Sequence, residues 1–250
     1  MFRQAVKHYL QTYGYSCIKL KSVLFDMDGV LFNSMPYHAG AWNQAMKANG
    51  LELSSEEAYL HEGRTGAATI NLVCKSQWNR EASPEEIKNI YYEKTLEFNK
   101  YPLSPPMPGA YQLLRKIKET GLISSVVTGS GQNSLLERLE ENFPQMFSPE
   151  LMVTAFDVSY GKPHPEPYLM ALEKGCRKAN ETIVVENAPL GVESSVQAGI
   201  FTIAINTGPL ADSILIDAGA DLLFPSMQLL ADAWEELYAV LAETVVNSHT

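Results

Sequence analysis

The first regular feature of the chain is a short apolar run at residues 22–25, closed by Asp26 and soon followed by Gly29. A brief apolar stretch ending in a turn signal predicts a buried parallel strand that delivers Asp26 to its C-terminal end. The pattern then changes. Residues 41–48, 56–60, 68–73 and 84–98 are rich in Ala, Glu and Leu with no strand-like alternation, which predicts helices. Ser83 ahead of Pro84, with Glu85 and Glu86 behind, marks a helix start. Beyond a Pro-rich stretch at 101–108, helices and strands alternate. Helices are predicted at 110–120, 133–142, 165–174, 190–198 and 227–242, and strands at 122–127, 151–155, 183–185, 201–205 and 221–224. Alternation with short links predicts an α/β fold with a doubly wound parallel sheet. The all-helical stretch inserted after the first strand predicts a small helical cap over the C-terminal ends of the strands, where such sheets bind ligands. The expected organisation is an N-terminal extension at 1–21, a core of 22–36 and 102–250, and a cap of 37–101.

At 250 residues the chain is long enough for one large domain with an insertion. Carboxylates outnumber Lys and Arg by 29 to 19, a net charge of −10 that disfavours nucleic acid, whose affinity depends on cationic contacts to phosphate. A small anionic substrate stays possible, because a metal and a few local cations override the global field. Cys17, Cys74 and Cys176 are widely spaced and form no ligand-like cluster, which predicts reduced thiols in a cytoplasmic protein. No apolar run approaches the ~20 residues of a spanning helix, and residues 1–22 lack the apolar core of a signal peptide. The expected partner is a small phosphorylated molecule, with neither nucleic acid nor membrane, and the expected state is a monomer.

Four short motifs carry the candidate chemistry. Asp26-Met27-Asp28-Gly29 places two carboxylates just beyond a strand, a weak signal alone because Asp-rich turns are common. Thr128-Gly129-Ser130-Gly131 ends a strand with hydroxyl and backbone donors suited to phosphoryl oxygens. Lys162, before the Pro-stiffened helix start at 163–167, supplies a cation able to neutralise charge between nucleophile and phosphate. Glu186-Asn187 finishes a strand with oxygen ligands of the kind Mg²⁺ takes. Each motif has an ordinary structural reading; their joint order is what is specific.

These motifs in this order resemble the haloacid dehalogenase superfamily, and the helical insert resembles its small cap. The segment from Glu186-Asn187-Ala188-Pro189 to Gly199 is similar to the branch containing β-phosphoglucomutase and many small-molecule phosphatases. The resemblance implies that Asp26 is a nucleophile forming an aspartyl-phosphate and Asp28 a general acid and base. It implies that Thr128 and Lys162 hold the phosphoryl group, with Gly129 and Ser130 donating nearby. It also implies Mg²⁺ surrounded by Asp26, the Asp28 carbonyl, Glu186 and Asn187. The family usually has Asp where this chain has Asn187, and an amide coordinates without charge. Asp28 argues against dehalogenation, since the dehalogenases of the superfamily lack that carboxylate.

The cap is expected to choose the substrate. His38, twelve residues after Asp26, stands where β-phosphoglucomutases have a catalytic cap histidine, although a lone His at a helix start is more often a packing residue. In the loop His61-Glu62-Gly63-Arg64-Thr65-Gly66, Glu62 replaces a Lys of the mutase pattern and Gly66 its sugar-phosphate-binding Arg, for which Arg64 is the candidate substitute. A carboxylate facing a bare phosphate dianion is unfavourable unless the substrate brings metal, as pyrophosphate does. Glu62 and its loop are similar to an inorganic pyrophosphatase of this branch, a resemblance that continues through Tyr37 and residues 135–141 and 151–157. The alternative for Glu62 is a solvated charge or an ion pair with Arg64. The expectation is a hydrolase of pyrophosphate or a small phosphate ester, with β-phosphoglucomutase second. The reading from another class, a phosphate-binding protein without chemistry, is opposed by intact Asp26, Asp28 and Lys162.

Overall fold

The apolar run at the start of the core becomes β1 (Ser22–Phe25), an interior strand of a five-stranded all-parallel sheet in the order β2-β1-β3-β4-β5. A computed structural model describes residues 1–130 and 134–246; Gly131 and position 133, read above as part of a turn and a helix, lie outside the described residues. The other strands are β2 (Ile123–Val126), β3 (Thr182–Glu186), β4 (Phe201–Ile205) and β5 (Leu222–Phe224). β1, β3 and β4 are buried along their whole length, as expected for a parallel sheet covered on both faces.

Eleven helices accompany the sheet among the described residues. They are α1 (Phe2–Tyr13), α2 (Met35–Ala48), α3 (Ser55–Leu60), α4 (Gly66–Trp78), α5 (Pro84–Phe98), α6 (Ala110–Glu119), α7 (Ser134–Asn142), α8 (Glu166–Lys174), α9 (Pro189–Gln197), α10 (Asp212–Asp217) and α11 (Met227–Glu243). Helices α2 to α5 form the insertion and have an apolar core of their own, containing Met46, Leu51, Ile70 and Ile90. Reciprocal hydrogen bonds between Ser83 and Glu86 cap α5, as its sequence predicts.

Two expectations are corrected. Residues 1–21 are not an appendage: Val6, Tyr9 and Leu10 of α1 are fully buried in the main core, and the Tyr9 ring meets Phe201 edge-on at 5.4 Å. These three residues at helical spacing form the buried stripe, Phe2 and Ala5 pack beside them, and the Tyr9 and Tyr13 hydroxyls donate to the Gly199 and Val196 carbonyls. The strand expected at 151–155 is absent: a 3₁₀ turn at Pro149–Leu151 occupies its start, and only Val153 pairs, in a single parallel bridge with Val127. The Thr154 backbone and hydroxyl both bond the Asp157 carboxylate, which turns the chain away from the sheet.

Below the sheet, at the start of β5, burial pushes the Asp221 carboxyl up to about 7, although the Thr202 N–H donates to it at 2.8 Å. A folded-state value above the unfolded one, about 4, means that ionisation costs the folded protein stability as pH rises from about 4 to 7. Asp221→Asn is therefore expected to raise the melting temperature clearly at pH 8 and much less at pH 5. Equal shifts at both pH values in thermal unfolding would contradict this.

Candidate active site

The parallel register sets the site. Phe25 of β1 is level with Val126 of β2 and Val185 of β3, so Asp26, Thr128 and Glu186 emerge together at the C-terminal edge. Gly29, at φ 84°, makes the turn after Asp28, and a Cβ there would fall 2.1 Å from the Asn187 side-chain nitrogen. Asn187 thus lies directly against the first motif.

Lys162 reaches this edge from the loop ahead of α8. Its buried ammonium donates to Asp26 Oδ1 at 2.6 Å, to Glu186 Oε1 at 2.6 Å and to the Val127 carbonyl at 3.0 Å, which uses all three donors. Burial disfavours its charge, but Asp26 and Glu186 outweigh burial and hold the ammonium well above the usual lysine range. Burial pushes the Asp26 carboxyl up to about 7; Lys162 opposes this, and Glu186 and Asp28 add to it. A divalent cation on the same carboxylate acts in the opposite direction, towards the ionised nucleophile.

Asp28 faces the insertion. Its Oδ1 accepts from the Ser34 hydroxyl and from His38 Nε2 at 3.2 Å. Burial works against its charge, but His38 and then the Ser34 hydrogen bond overcome this and hold the carboxyl down at about 2. On the other side of the imidazole, Lys94 Nζ lies 2.9 Å from His38 Nδ1. An ammonium only donates, so Nδ1 accepts and Nε2 carries the proton directed at Asp28. Lys94, buried on α5, rests over the rings of Trp42, Tyr91 and Phe98 at 5.4, 5.9 and 5.1 Å. Burial pushes its ammonium down to about 8, although Asp28 pulls it up. His38 stacks on Phe98 with centroids 4.2 Å apart.

The loop after α3 closes the cavity. Glu62 Oε2 accepts from Asn187 Nδ2 at 3.0 Å, while Glu62 Oε1 and Asn187 Oδ1 are buried without a partner. Burial, then Asp26, Glu186 and Asp28, push the Glu62 carboxyl well above the ordinary range. The alternative ion pair with Arg64 is not formed; the buried Arg64 Nε also has no partner. The tight seam requires glycine, because a Cβ on Gly129 would lie 2.9 Å from the Gly63 carbonyl oxygen.

A cavity of about 80 Å³ lies between these groups. Asp26, Asp28, His38, Glu62, Arg64, Thr128, Gly129 and Ser130 line it, so the structure brings these sequence-predicted residues together. Lys162, Glu186 and Asn187 stand behind Asp26 rather than on the cavity wall. Lys94, Ser34 and Tyr168 escaped the sequence reading. Lys94 leaves a trace there, since it continues the stripe Ile87, Ile90, Tyr91 and Phe98, where a lysine interrupts an apolar helix face.

The donor set suits Mg²⁺. The unpaired Asn187 Oδ1 is a buried hard-oxygen acceptor in need of a partner, and its side chain lies against Gly29 of the turn that carries Asp26 and Asp28. Among the described residues no three His, Cys, Asp or Glu side chains are grouped as metal ligands. Glu186 differs from expectation. Lys162 and Tyr168 donate to its Oε1, and the Asn187 and Ala188 N–H groups to its Oε2, so its acceptor positions are already used.

Comparison with known proteins agrees with this geometry. A model of the haloacid dehalogenase-like hydrolase family matches residues 23–205. A solved structure from Bacteroides vulgatus, assigned provisionally as a β-phosphoglucomutase, is 59% identical with a TM-score of 0.94 and covers 96% of this chain and 98% of its own. Hexitol phosphatase A of Escherichia coli is 29% identical over 191 residues, 76% of this chain and 84% of that protein. The phosphorylated carbohydrates phosphatase of Thermotoga maritima is 27% identical over 215 residues, 84% of this chain and 97% of that protein. With most of its length matched and its motif residues gathered at one sheet edge, this chain belongs to the haloacid dehalogenase-like hydrolase family, in the β-phosphoglucomutase-like branch.

Proposed function

We propose that the protein is a magnesium-dependent phosphohydrolase that works through an aspartyl-phosphate on Asp26, with inorganic pyrophosphate or a comparably small phosphate ester as substrate. Asp26 attacks phosphorus in line, its O–P bond forming as the bond to the leaving oxygen breaks; water then attacks the same phosphorus and the Asp26 O–P bond breaks. Lys162 fixes Asp26 through Oδ1, which leaves the other oxygen for attack. Asp28, held ionised by Ser34 and His38, suits the second step, where it takes the proton of the attacking water. The leaving group's proton comes along the same chain: Lys94 gives a proton to His38 Nδ1 as His38 Nε2 gives its own to Asp28, which passes it to the leaving oxygen, so the imidazole stays neutral; the proton that Asp28 takes from water in the second step returns by the reverse route. Thr128 and Ser130 present donors to the phosphoryl oxygens. Asp26, Asn187 and the Asp28 carbonyl would hold Mg²⁺, which supplies charge neutralisation to the transferring phosphoryl group.

The observation that carries the substrate reading is Glu62. A cap carboxylate pressed among Asp26, Asp28 and Glu186, with one oxygen unpaired, favours a substrate that arrives with its own cation. The test is steady-state kinetics with pyrophosphate, a hexitol phosphate, and β-glucose 1-phosphate with its bisphosphate activator. Pyrophosphate is expected to turn over only with Mg²⁺. Glu62→Gln is expected to lower that rate about tenfold or more, while hydrolysis of acetyl phosphate, which needs less from the lid, changes less. Full activity after exhaustive chelation contradicts the metal.

The Lys94–His38–Asp28 chain supports a second reading, a mutase in which Asp28 activates a sugar hydroxyl instead of water. Efficient interconversion of glucose phosphates with pyrophosphate ignored would establish it, and preferential hydrolysis of the hexitol phosphate would move the substrate to the class named in the phosphatase relatives.

A further inference from the structure

Tyr168 lies on α8 and is fully buried, with no assigned part in the chemistry. Its hydroxyl donates to Glu186 Oε1 at 2.9 Å, the oxygen that also takes Lys162 at 2.6 Å. The Lys162 ammonium lies 5.2 Å from the centre of the Tyr168 ring, so one side chain contacts the ammonium through its π face and its carboxylate partner through its hydroxyl. The second Glu186 oxygen is fixed by two backbone N–H groups at the start of α9, at 2.9 and 3.0 Å. Gly191 permits this close approach, because a Cβ there would meet Glu186 Oε1 at 1.8 Å.

Glu186 is fully buried, so no water replaces a missing donor. Without the Tyr168 hydroxyl, one acceptor position on Oε1 stands open. The carboxylate then draws Lys162 more strongly, at the expense of Asp26, and has a lone pair to offer a cation held by its neighbour Asn187. We propose that Tyr168 is a positioning residue: its hydroxyl shares Glu186 Oε1 with Lys162, which keeps Lys162 balanced between Glu186 and Asp26 and restrains Glu186 from the metal. This rests on the phosphoryl-transfer reading for its kinetic consequence, but not for its metal-binding one.

The experiment compares the full chain with Tyr168→Phe, which keeps the ring and its packing. Mg²⁺ affinity is measured without substrate, from the rise in melting temperature with Mg²⁺ concentration. Kinetics follow on the best substrate of the panel. The variant is expected to bind Mg²⁺ about threefold or more tighter, to lose about tenfold in kcat, as for one hydrogen bond to a charged group, and to change KM less than twofold. A purely structural role predicts lower stability with Mg²⁺ affinity unchanged or weakened, and that result overturns the proposal. So does an unchanged kcat, or a variant that does not fold, since the hydroxyl would then serve stability. If the parent hydrolyses no phosphate ester or anhydride, the phosphohydrolase reading fails, while the metal titration still decides the role of Tyr168.

Discussion

Asp26→Asn is expected to reduce turnover by about 10⁴-fold or more, because the amide keeps the shape of the side chain and loses its nucleophilicity. The surroundings make the comparison clean. The amide oxygen of the variant can still accept from Lys162, which keeps its bonds to Glu186 and the Val127 carbonyl. Two buried carboxylates compete for that one ammonium, so removing one charge leaves the folded state no less stable. The expected pattern is an unchanged or higher melting temperature with activity gone, measured on one preparation by thermal unfolding and phosphate release. Activity within tenfold of the parent removes Asp26 from the nucleophile's role.

The next largest effect belongs to Lys94. Lys94→Met fills the same space among Trp42, Tyr91 and Phe98 but removes the donor to His38 Nδ1. The imidazole is then free to carry its proton on Nδ1, and Nε2 no longer directs one at Asp28. A loss of about 10²-fold in kcat is expected, the low end of what a positioned acid–base group contributes. The pH profile separates this from loose packing. With the Lys94 ammonium near 8, the parent should lose activity as pH rises through about 8, because the neutral amine has no proton to pass on and can accept from Nδ1 as well as donate to it, which frees the tautomer. In Lys94→Met that limb should vanish. A variant within threefold of the parent that keeps the limb would show that His38 is oriented by something else.

The sequence announced the catalytic edge more clearly than the lid. The Asp26, Thr128 and Glu186 motifs each follow an apolar run short enough to be a buried strand, and parallel pairing then places the ends of such strands side by side. Asp26, Thr128 and Glu186 were legible for that reason. Lys94 was not: its partner His38 is 56 positions away, and only the packing of α5 on α2 shows that the lysine faces inward. Tyr168 reads as an ordinary core aromatic until its hydroxyl is seen on Glu186. The bond between Glu62 and Asn187 spans 125 positions and exists only with the cap loop closed on the core, so a local pattern cannot reveal it. Helix α1 was missed because its fully buried stripe is short, Val6, Tyr9 and Leu10, and its bonds from Tyr9 and Tyr13 reach Gly199 and Val196 far along the chain; the strand expected at 151–155 fails because Val153 alone satisfies the pairing its apolar residues suggest.

The most direct test of the phosphoryl-transfer account is to trap the intermediate. The protein is mixed with ³²P-labelled pyrophosphate and Mg²⁺, quenched in acid within milliseconds, digested, and the labelled peptide sequenced. The account predicts a label that survives acid, is released by hydroxylamine as an acyl phosphate should be, maps to the peptide containing Asp26 and is absent from Asp26→Asn. Rapid turnover with no protein-bound label at any quench time, or a label that persists in Asp26→Asn, would contradict it.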